Sequence, residues 1–330
     1  MRTHAIAAVM LAVGCSSSHP GGQVDAASVD GHGGGGRDSG AIDGTGSGSG
    51  SGSGSGFGSA TVFTIVLENH DYKEVVGSSN APYLNSLIAQ YALATNYKDT
   101  GHPSTPNYLH MISGDNQYPG IIDVSPTQVP YFPSAAANLA TQLEAAGVPW
   151  RSYQDGEATP CKLTDDGNYA PRHDPFLYFS DQQMGSNGLC AATNVDFTSF
   201  AADLAANTYR YMWISPNLID DGHNPTTDPV GALTTSDTWM STHVPAILAS
   251  DGFKNGGVLF ITWDEAEGRN GDDADLIPMI VVSPHLAKAG TTSAVAYTHS
   301  SYLATVEDIL GLPRLATVTS APAMSDLLGL

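Results

Sequence analysis

Four short polar clusters in this chain carry side chains suited to chemistry: Glu68-Asn69-His70-Asp71, His102-Pro103-Ser104-Thr105-Pro106-Asn107, Asp220-Asp221-Gly222-His223 and Asp264-Glu265. In the second, Pro106 falls in the first turn of a helix expected over 105–113, where a missing N–H costs nothing. The Ser104 hydroxyl then stands at a helix N-terminus. Unpaired N–H groups and the positive end of the helix dipole favour an anion there, such as phosphate or the alkoxide that attacks it. Serine is also a preferred N-cap residue, so capping and nucleophilic readings of Ser104 both stand. Carboxylates from the other clusters would repel one another if brought together, and a divalent cation is the natural neutraliser. Such a cation beside Ser104 would lower the hydroxyl pKa and screen an incoming phosphate dianion. Asn107 is spaced to donate to phosphate oxygens from the first helical turn. His102 and His173 are candidates for contacting the phosphate and protonating the leaving oxygen, because imidazole titrates in the useful range; a structural role suits either equally well.

These clusters need elements to position them. Residues 61–67 form a near-continuous apolar, β-branched run, as expected for a strand buried on both faces of a parallel sheet. Further strands are expected over 92–97, 209–215, 257–263 and 277–283. Helices are expected over 81–91, 105–113, 134–146, 233–250 and 301–310. Alternating strands and helices imply an α/β fold, a three-layer α/β/α sandwich around a mostly parallel central sheet. In such sheets ligands bind beyond the carboxyl ends of the strands, and each of the four clusters follows a strand.

The chain has 330 residues, 33 Asp and Glu against 12 Lys and Arg, and a formal net charge of −21. Without a basic footprint, nucleic acid is excluded as an expected partner, and an anionic substrate must be held by something other than Lys and Arg. Met1 to Val13 reads as an export signal, a charged start followed by an apolar stretch too short to span a bilayer. Its end, Leu11-Ala12-Val13-Gly14-Cys15, resembles the lipobox of bacterial lipoproteins, in which the cysteine is lipidated; the other reading is an ordinary cleaved signal with an incidental cysteine. Residues 16–59 are Gly, Ser and Asp with almost no apolar side chains, the composition of a flexible tether. The sequence thus divides into a signal over 1–15, a linker over 16–59 and one catalytic domain over 60–330, either anchored to the cell envelope or secreted. Cys161 and Cys190 remain as an expected disulfide in an exported protein.

From Glu68-Asn69-His70-Asp71-Tyr72, through Ala81-Pro82-Tyr83-Leu84 and 102–114, to Asp264-Glu265 and Thr298-His299-Ser300, the chain resembles the phosphoesterase family of the alkaline-phosphatase-like superfamily. That family contains acid phosphatases and phospholipases C. Ser104-Thr105-Pro106-Asn107 also resembles the Thr-x-Pro-Asn helix start of nucleotide pyrophosphatases in the same superfamily, and that register implies Ser104, rather than Thr105, as the nucleophile. Arg172-His173-Asp174-Pro175-Phe176 resembles the Lys/Arg-His-Asn-Pro-Phe segment of the acid-phosphatase members, which implies a substrate-binding role for Arg172. Ser215-Pro216-Asn217 with Asp221-Gly222-His223 resembles their Pro-Asn…Asp-Gly-His segment. The resemblance implies an alkaline-phosphatase-like fold, a metal site from Glu68, Asn69, Ser104, Asp264 and Glu265, and a second position near Asp221, His223 and His299. Glu265 stands where two-zinc relatives carry His, and the oxygen-rich shell points towards Mg²⁺, Mn²⁺ or Ca²⁺, with Zn²⁺ left open.

The resulting expectation is a metal-dependent phosphomonoesterase acting on a phosphate ester through a phosphoserine on Ser104, with no protein partner and no membrane contact beyond a lipid anchor. A phospholipase C-type phosphodiesterase is one alternative, and a surface lipoprotein that uses the fold only to bind is another. Other features are read as ordinary. Gly33 to Gly36 lacks the preceding strand and following lysine of a phosphate loop. His110, His243 and His285 have no partner pattern, and Asp272-Asp273-Ala274-Asp275 is a solvated turn with calcium binding as the alternative. Tyr131, Phe132, Phe176, Tyr178 and Phe179 either wall a pocket or pack the core.

Overall fold

A computed structural model describes residues 60–329 except 119, 121, 129–131, 184–187, 224–227 and 269–274. The expected signal with Cys15, the linker, Gly33 to Gly36, Tyr131 and Asp272-Asp273-Ala274 lie outside the described residues.

The strands are β1 Val62–Leu67, β2 Ala92–Lys98, β3 Trp150–Gln154, β4 Asn194–Asp196, β5 Tyr211–Ser215, β6 Val258–Trp263, β7 Leu276–Val282, β8 Thr291–Ser293 and β9 Tyr297–Thr298. The helices are α1 Tyr72–Val75, α2 Pro82–Gln90, α3 Ser104–Ser113, α4 Leu139–Ala146, α5 Ser180–Gln183, α6 Leu189–Thr193, α7 Phe200–Ala206, α8 Pro229–Ala249, α9 Asp251–Lys254 and α10 His299–Leu310. One sheet runs in the order β4-β3-β5-β1-β6-β7-β2-β8, with β9 also on β2. Most pairs are parallel, but β7 runs antiparallel to both β6 and β2. Apolar periodicity cannot disclose that reversal, because a strand covered on both faces reads the same in either direction.

The register of the central strands brings the polar clusters together. Val62 pairs with Val258 and Leu67 with Trp263, so Glu68 and Asp264 leave adjacent strands at the same level. Asp264 N–H donates to the Leu67 carbonyl at 3.0 Å, and Glu68 N–H donates to the Asp221 carbonyl at 2.8 Å. Three carboxylate-bearing loops are thereby tied by backbone hydrogen bonds at one sheet edge. Gly222, at φ +101°, completes this junction: a Cβ there would meet the Glu68 carbonyl oxygen at 3.1 Å, in a backbone region that disfavours side chains.

Helices α3 and α10 pack together, as do α2 and α8. From α10, Tyr302 reaches the sheet, its hydroxyl 2.7 Å from Thr64 Oγ1 and 3.1 Å from the Tyr211 hydroxyl. The expected helix over 134–146 starts only at Leu139. Asn138 caps it, accepting from Thr141 N–H, while Ser134 instead bridges to Phe179. Phe176, Tyr178 and Phe179 are buried in the core and Phe132 packs against it, so these aromatics pack rather than wall a pocket. The Cys161–Cys190 disulfide is present. It closes the long excursion between β3 and β4 that carries Arg172 and His173 on the short helical turn Pro171–His173.

Candidate active site

Ser104 is the first residue of α3, and Pro103 holds the N-cap position without a side-chain cap. The serine therefore does not cap the helix. Its Oγ lies 3.1 Å from Glu265 Oε1 and 3.3 Å from Glu68 Oε2, and the residue is 2% exposed. Asn69 adopts a left-handed backbone at φ +52°, which asparagine tolerates better than most side chains. From there its N–H donates to Asp264 Oδ1 at 3.3 Å and its Nδ2 donates to Glu265 Oε1 at 3.2 Å. Glu68, Asn69, Ser104, Asp264 and Glu265 thus form one contiguous, buried, oxygen-rich nest.

Glu68 also faces a second group. Its Oε1 accepts from the Tyr108 hydroxyl at 2.7 Å and lies 3.1 Å from His173 Nε2, while His173 Nδ1 is 3.3 Å from Asp221 Oδ2. Ligand atoms of Glu68, His173 and Asp221 all lie within 4.8 Å of one another. The His173 ring stacks on Tyr108, with centroids 5.2 Å apart and planes at 7°. Asp221 Oδ1 accepts from the N–H of His223, whose ring stands 6.5 Å from that of His173.

Burial drives the titration of this cluster. It pushes Glu68 well above the usual carboxylate range, with the Asp264 and Asp221 charges adding to the effect. Asp264 is raised well by burial and then by Glu265, and Asp221 chiefly by burial. Glu265 is pushed up to about 8, again mainly by burial. His173 goes the other way, held well below the ordinary imidazole value by burial and then by Arg172 and His223. Burying several carboxylates with a neutral imidazole is costly unless a cation compensates.

The donor set fits such a cation. Among the described residues Asp264 Oδ2 is buried without a hydrogen bond, and Asp221 Oδ2 and His173 Nε2 are buried with only the His173–Asp221 and His173–Glu68 approaches given above. Oxygen donors dominate around Ser104, with a single imidazole in the second group, a pattern suited to hard divalent ions and open to zinc at the histidine.

Several expected residues sit differently. His299 is fully buried; its Nε2 lies 2.7 Å from the Asp264 carbonyl and its Nδ1 2.9 Å from the Tyr97 hydroxyl. With Nε2 donating to the carbonyl and Nδ1 accepting from tyrosine, both ring nitrogens are engaged, and His299 braces the Asp264 backbone rather than facing the second group. His173 takes the place beside Asp221 that the sequence reading gave to His299. Asn107 is also fully buried. Its Nδ2 lies 2.7 Å from the Gly101 carbonyl and 3.2 Å from both the Pro103 carbonyl and Glu265 Oε2, and its Oδ1 accepts from Thr100 N–H at 2.8 Å. It braces the loop before Ser104 instead of pointing a donor outward. His102 is half exposed at the mouth, with Nδ1 3.0 Å from Glu265 Oε1. Arg172 pairs with Asp165 at 3.2 Å, close enough to His173 and Asp221 to influence their titration.

Three contributors escape sequence reasoning. Tyr108 looks like a core aromatic, yet its hydroxyl holds Glu68. Asp123 Oδ1 accepts from Thr105 N–H at 2.9 Å, putting a carboxylate on the helix start expected for phosphate. His110, read as ordinary, is bonded to Asn116 and Ser300. None of the three lies in a polar cluster that spacing would single out.

Residues 72–313 match the Phosphoesterase family. A phosphatidylinositol-3-phosphatase from Mycobacterium tuberculosis is 28% identical over 272 residues, covering 82% of this chain and 83% of that protein. A probable acid phosphatase from Kluyveromyces lactis is 29% identical over 264 residues, covering 77% of this chain and 58% of its own length. Among solved structures, a Vibrio parahaemolyticus protein of the alkaline phosphatase superfamily superposes with a TM-score of 0.54 at 13% identity, covering 81% of this chain and 71% of that one; this likeness concerns the fold. By the match over most of its α/β domain, the chain belongs to the phosphoesterase family.

Proposed function

We propose that this phosphoric ester hydrolase is a metal-dependent phosphomonoesterase of the acid-phosphatase kind, with Ser104 as nucleophile and a phosphoserine intermediate. The observation that carries the reading is the Ser104 hydroxyl, aimed from the start of α3 into buried carboxylates that nothing but a cation would keep ionised. A divalent ion held by Glu68, Asn69, Ser104, Asp264 and Glu265 would supply the charge that lowers the serine pKa and screens the phosphate. A second ion position would draw on Glu68, His173 and Asp221, with His223 alongside.

The chain's own groups supply the rest. Asn69, in its left-handed conformation, fixes Glu265 and Asp264. Tyr108 orients Glu68, and Asn107 fixes the approach to Ser104. His102, at the open mouth, is placed to give a proton to the leaving oxygen. His173 stays a proposal in the proton-transfer role as well, although its burial among carboxylates favours a ligand role. Arg172 is the nearby guanidinium available to a phosphate oxygen. Acid phosphatases among the relatives support the monoester reading; the leader and lipobox-like segment support an exported, envelope-anchored protein.

The test compares hydrolysis of p-nitrophenyl phosphate, bis(p-nitrophenyl) phosphate and p-nitrophenyl phosphorylcholine by the purified protein, with chelation, divalent-ion add-back and Ser104→Ala. The expected result is metal-dependent monoester turnover lost in the variant. Diester preference would assign a phospholipase C-type activity instead, and silence with every ion would leave a binding protein.

A further inference from the structure

Beside the Ser104 nest opens a cleft of about 580 Å³, which shares His102 and Pro106 with the start of α3. His102, 3.0 Å from Glu265 Oε1, and Pro106 of α3 both line it, so the cleft adjoins the Ser104 nest and its lining bears on which leaving alcohols fit. The lining mixes polar and apolar surface in equal measure, and among the described residues it includes no Lys or Arg.

Its floor is rigidly wired. His110 Nδ1 lies 2.7 Å from Asn116 Oδ1, and His110 Nε2 lies 2.6 Å from Ser300 Oγ. An amide oxygen only accepts, so His110 donates from Nδ1 and the Asn116 amide is fixed in orientation. Asn116 Nδ2 then has two N–H groups that make no hydrogen bond among the described residues. Gln117, next to it, is held at both ends of its amide by Ser113 and Ser134. Asp115 also lines the cleft.

We infer, resting on the phosphatase reading, that this cleft is the leaving-group subsite for an uncharged polyhydroxylated alcohol, and that it selects against leaving groups bearing a second phosphate. Asn116 Nδ2 donates to a hydroxyl oxygen and the Asp115 carboxylate accepts from a hydroxyl. A second phosphate would meet the Asp115 carboxylate with no guanidinium or ammonium among the described lining residues to offset it.

The experiment measures kcat/KM for fructose 6-phosphate, fructose 1,6-bisphosphate and p-nitrophenyl phosphate with the metal-loaded protein and the variants Asn116→Ala and Asp115→Asn. The wild type should prefer the monophosphate over the bisphosphate by tenfold or more. Asn116→Ala should lower fructose 6-phosphate turnover about fivefold relative to p-nitrophenyl phosphate, mainly through KM, as loss of one neutral hydrogen bond predicts. Asp115→Asn should improve the bisphosphate relative to the monophosphate by about threefold. Equal or better use of the bisphosphate by the wild type, or an Asn116→Ala loss identical on sugar and aryl substrates, overturns the inference while leaving the phosphatase reading intact. No turnover of any of the three overturns both.

Discussion

Removing the metal should make the stability of this protein fall as pH rises. Glu265 has a carboxyl pushed up to about 8 in the fold, against 4.5 for the free group. Below 4.5 both folded and unfolded chains hold the proton, and nothing is lost. Above it the unfolded chain ionises while the metal-free fold keeps its proton, so stability declines by about 1.36 kcal/mol per pH unit until the folded carboxyl itself ionises. By pH 7 Glu265 alone contributes a loss of about 3 kcal/mol. For a domain of this size, with an unfolding entropy of about 0.6 kcal/mol per kelvin, that is about 5–6 °C in Tm. Glu68, Asp221 and Asp264 are raised by the same burial and act in the same direction. A bound cation keeps these groups ionised in the fold and removes the slope. Scanning calorimetry of chelated and Mn²⁺-replenished protein from pH 5 to pH 8 should therefore show a gap in Tm that widens with pH. General repulsion from the net charge of −21 affects both samples and cancels in the difference. Glu265→Gln should flatten the chelated curve and shrink the gap. A chelated Tm that is level or rising over this range, with metal adding the same increment at both ends, would refute the reasoning.

Ser104→Ala should reduce monoester turnover by at least about a thousandfold, since it is the Ser104 hydroxyl, and not that of the adjacent Thr105, that contacts both Glu68 and Glu265; steady-state kinetics with saturating metal checks this. His299→Ala should weaken metal affinity by about 10–100-fold through loss of the Asp264 backbone brace, read by metal titration calorimetry, with Tyr97→Phe giving a smaller effect of the same sign. Asp123→Ala frees Thr105 N–H, and inhibition by inorganic phosphate should strengthen by a few-fold. Replacing both Cys161 and Cys190 by Ser should cost about 3–4 kcal/mol in denaturant unfolding, because the closed loop lies between positions 29 apart in sequence.

The sheet core was legible because β1, β6 and β7 are nearly unbroken apolar runs, and such runs have few other uses in a domain of this size. The gathering of Glu68, Ser104 and Asp264 was legible for a related reason: each directly follows a strand or the loop after one, and parallel neighbours put such positions at one edge. Strands β3, β4, β8 and β9 were not legible. Gln154, Asn194 and Thr291 are polar, and short strands at a sheet margin owe their pairing to partners rather than to their own periodicity. The exchange between His173 and His299 was beyond sequence for another reason. Both histidines are followed by small or acidic residues and precede or open a helical turn, and only the packing of Tyr97 and the Asp264 carbonyl around His299 shows that its ring is already engaged. Tyr108 and Asp123 were missed because their function depends on one hydrogen bond each, across 40 and 18 residues of sequence.

Charge explains why these pieces had to be assembled in this way. With 33 Asp and Glu against 12 Lys and Arg, the chain brings few basic groups to a phosphate dianion, and Arg172, near the cluster, is shared with Asp165. On the proposed reading the remaining positive charge comes from ions, and ions require carboxylates whose mutual repulsion the fold tolerates only while they are neutral or neutralised. The structure resolves this by fixing each carboxylate from behind with groups that do not depend on the ion: Tyr108 on Glu68, Asn69 on Asp264 and Glu265, His223 N–H on Asp221, and the backbone ties between β1, β6 and the Asp221 loop. Because those ties are made by strand register and buried donors, ion binding should cost protons rather than rearrangement. A site built this way should take up metal with little change in secondary structure and with a release of protons that falls as pH rises. That proton count, measured by titration calorimetry in buffers of different ionisation enthalpy, separates a preformed site from one assembled by the metal.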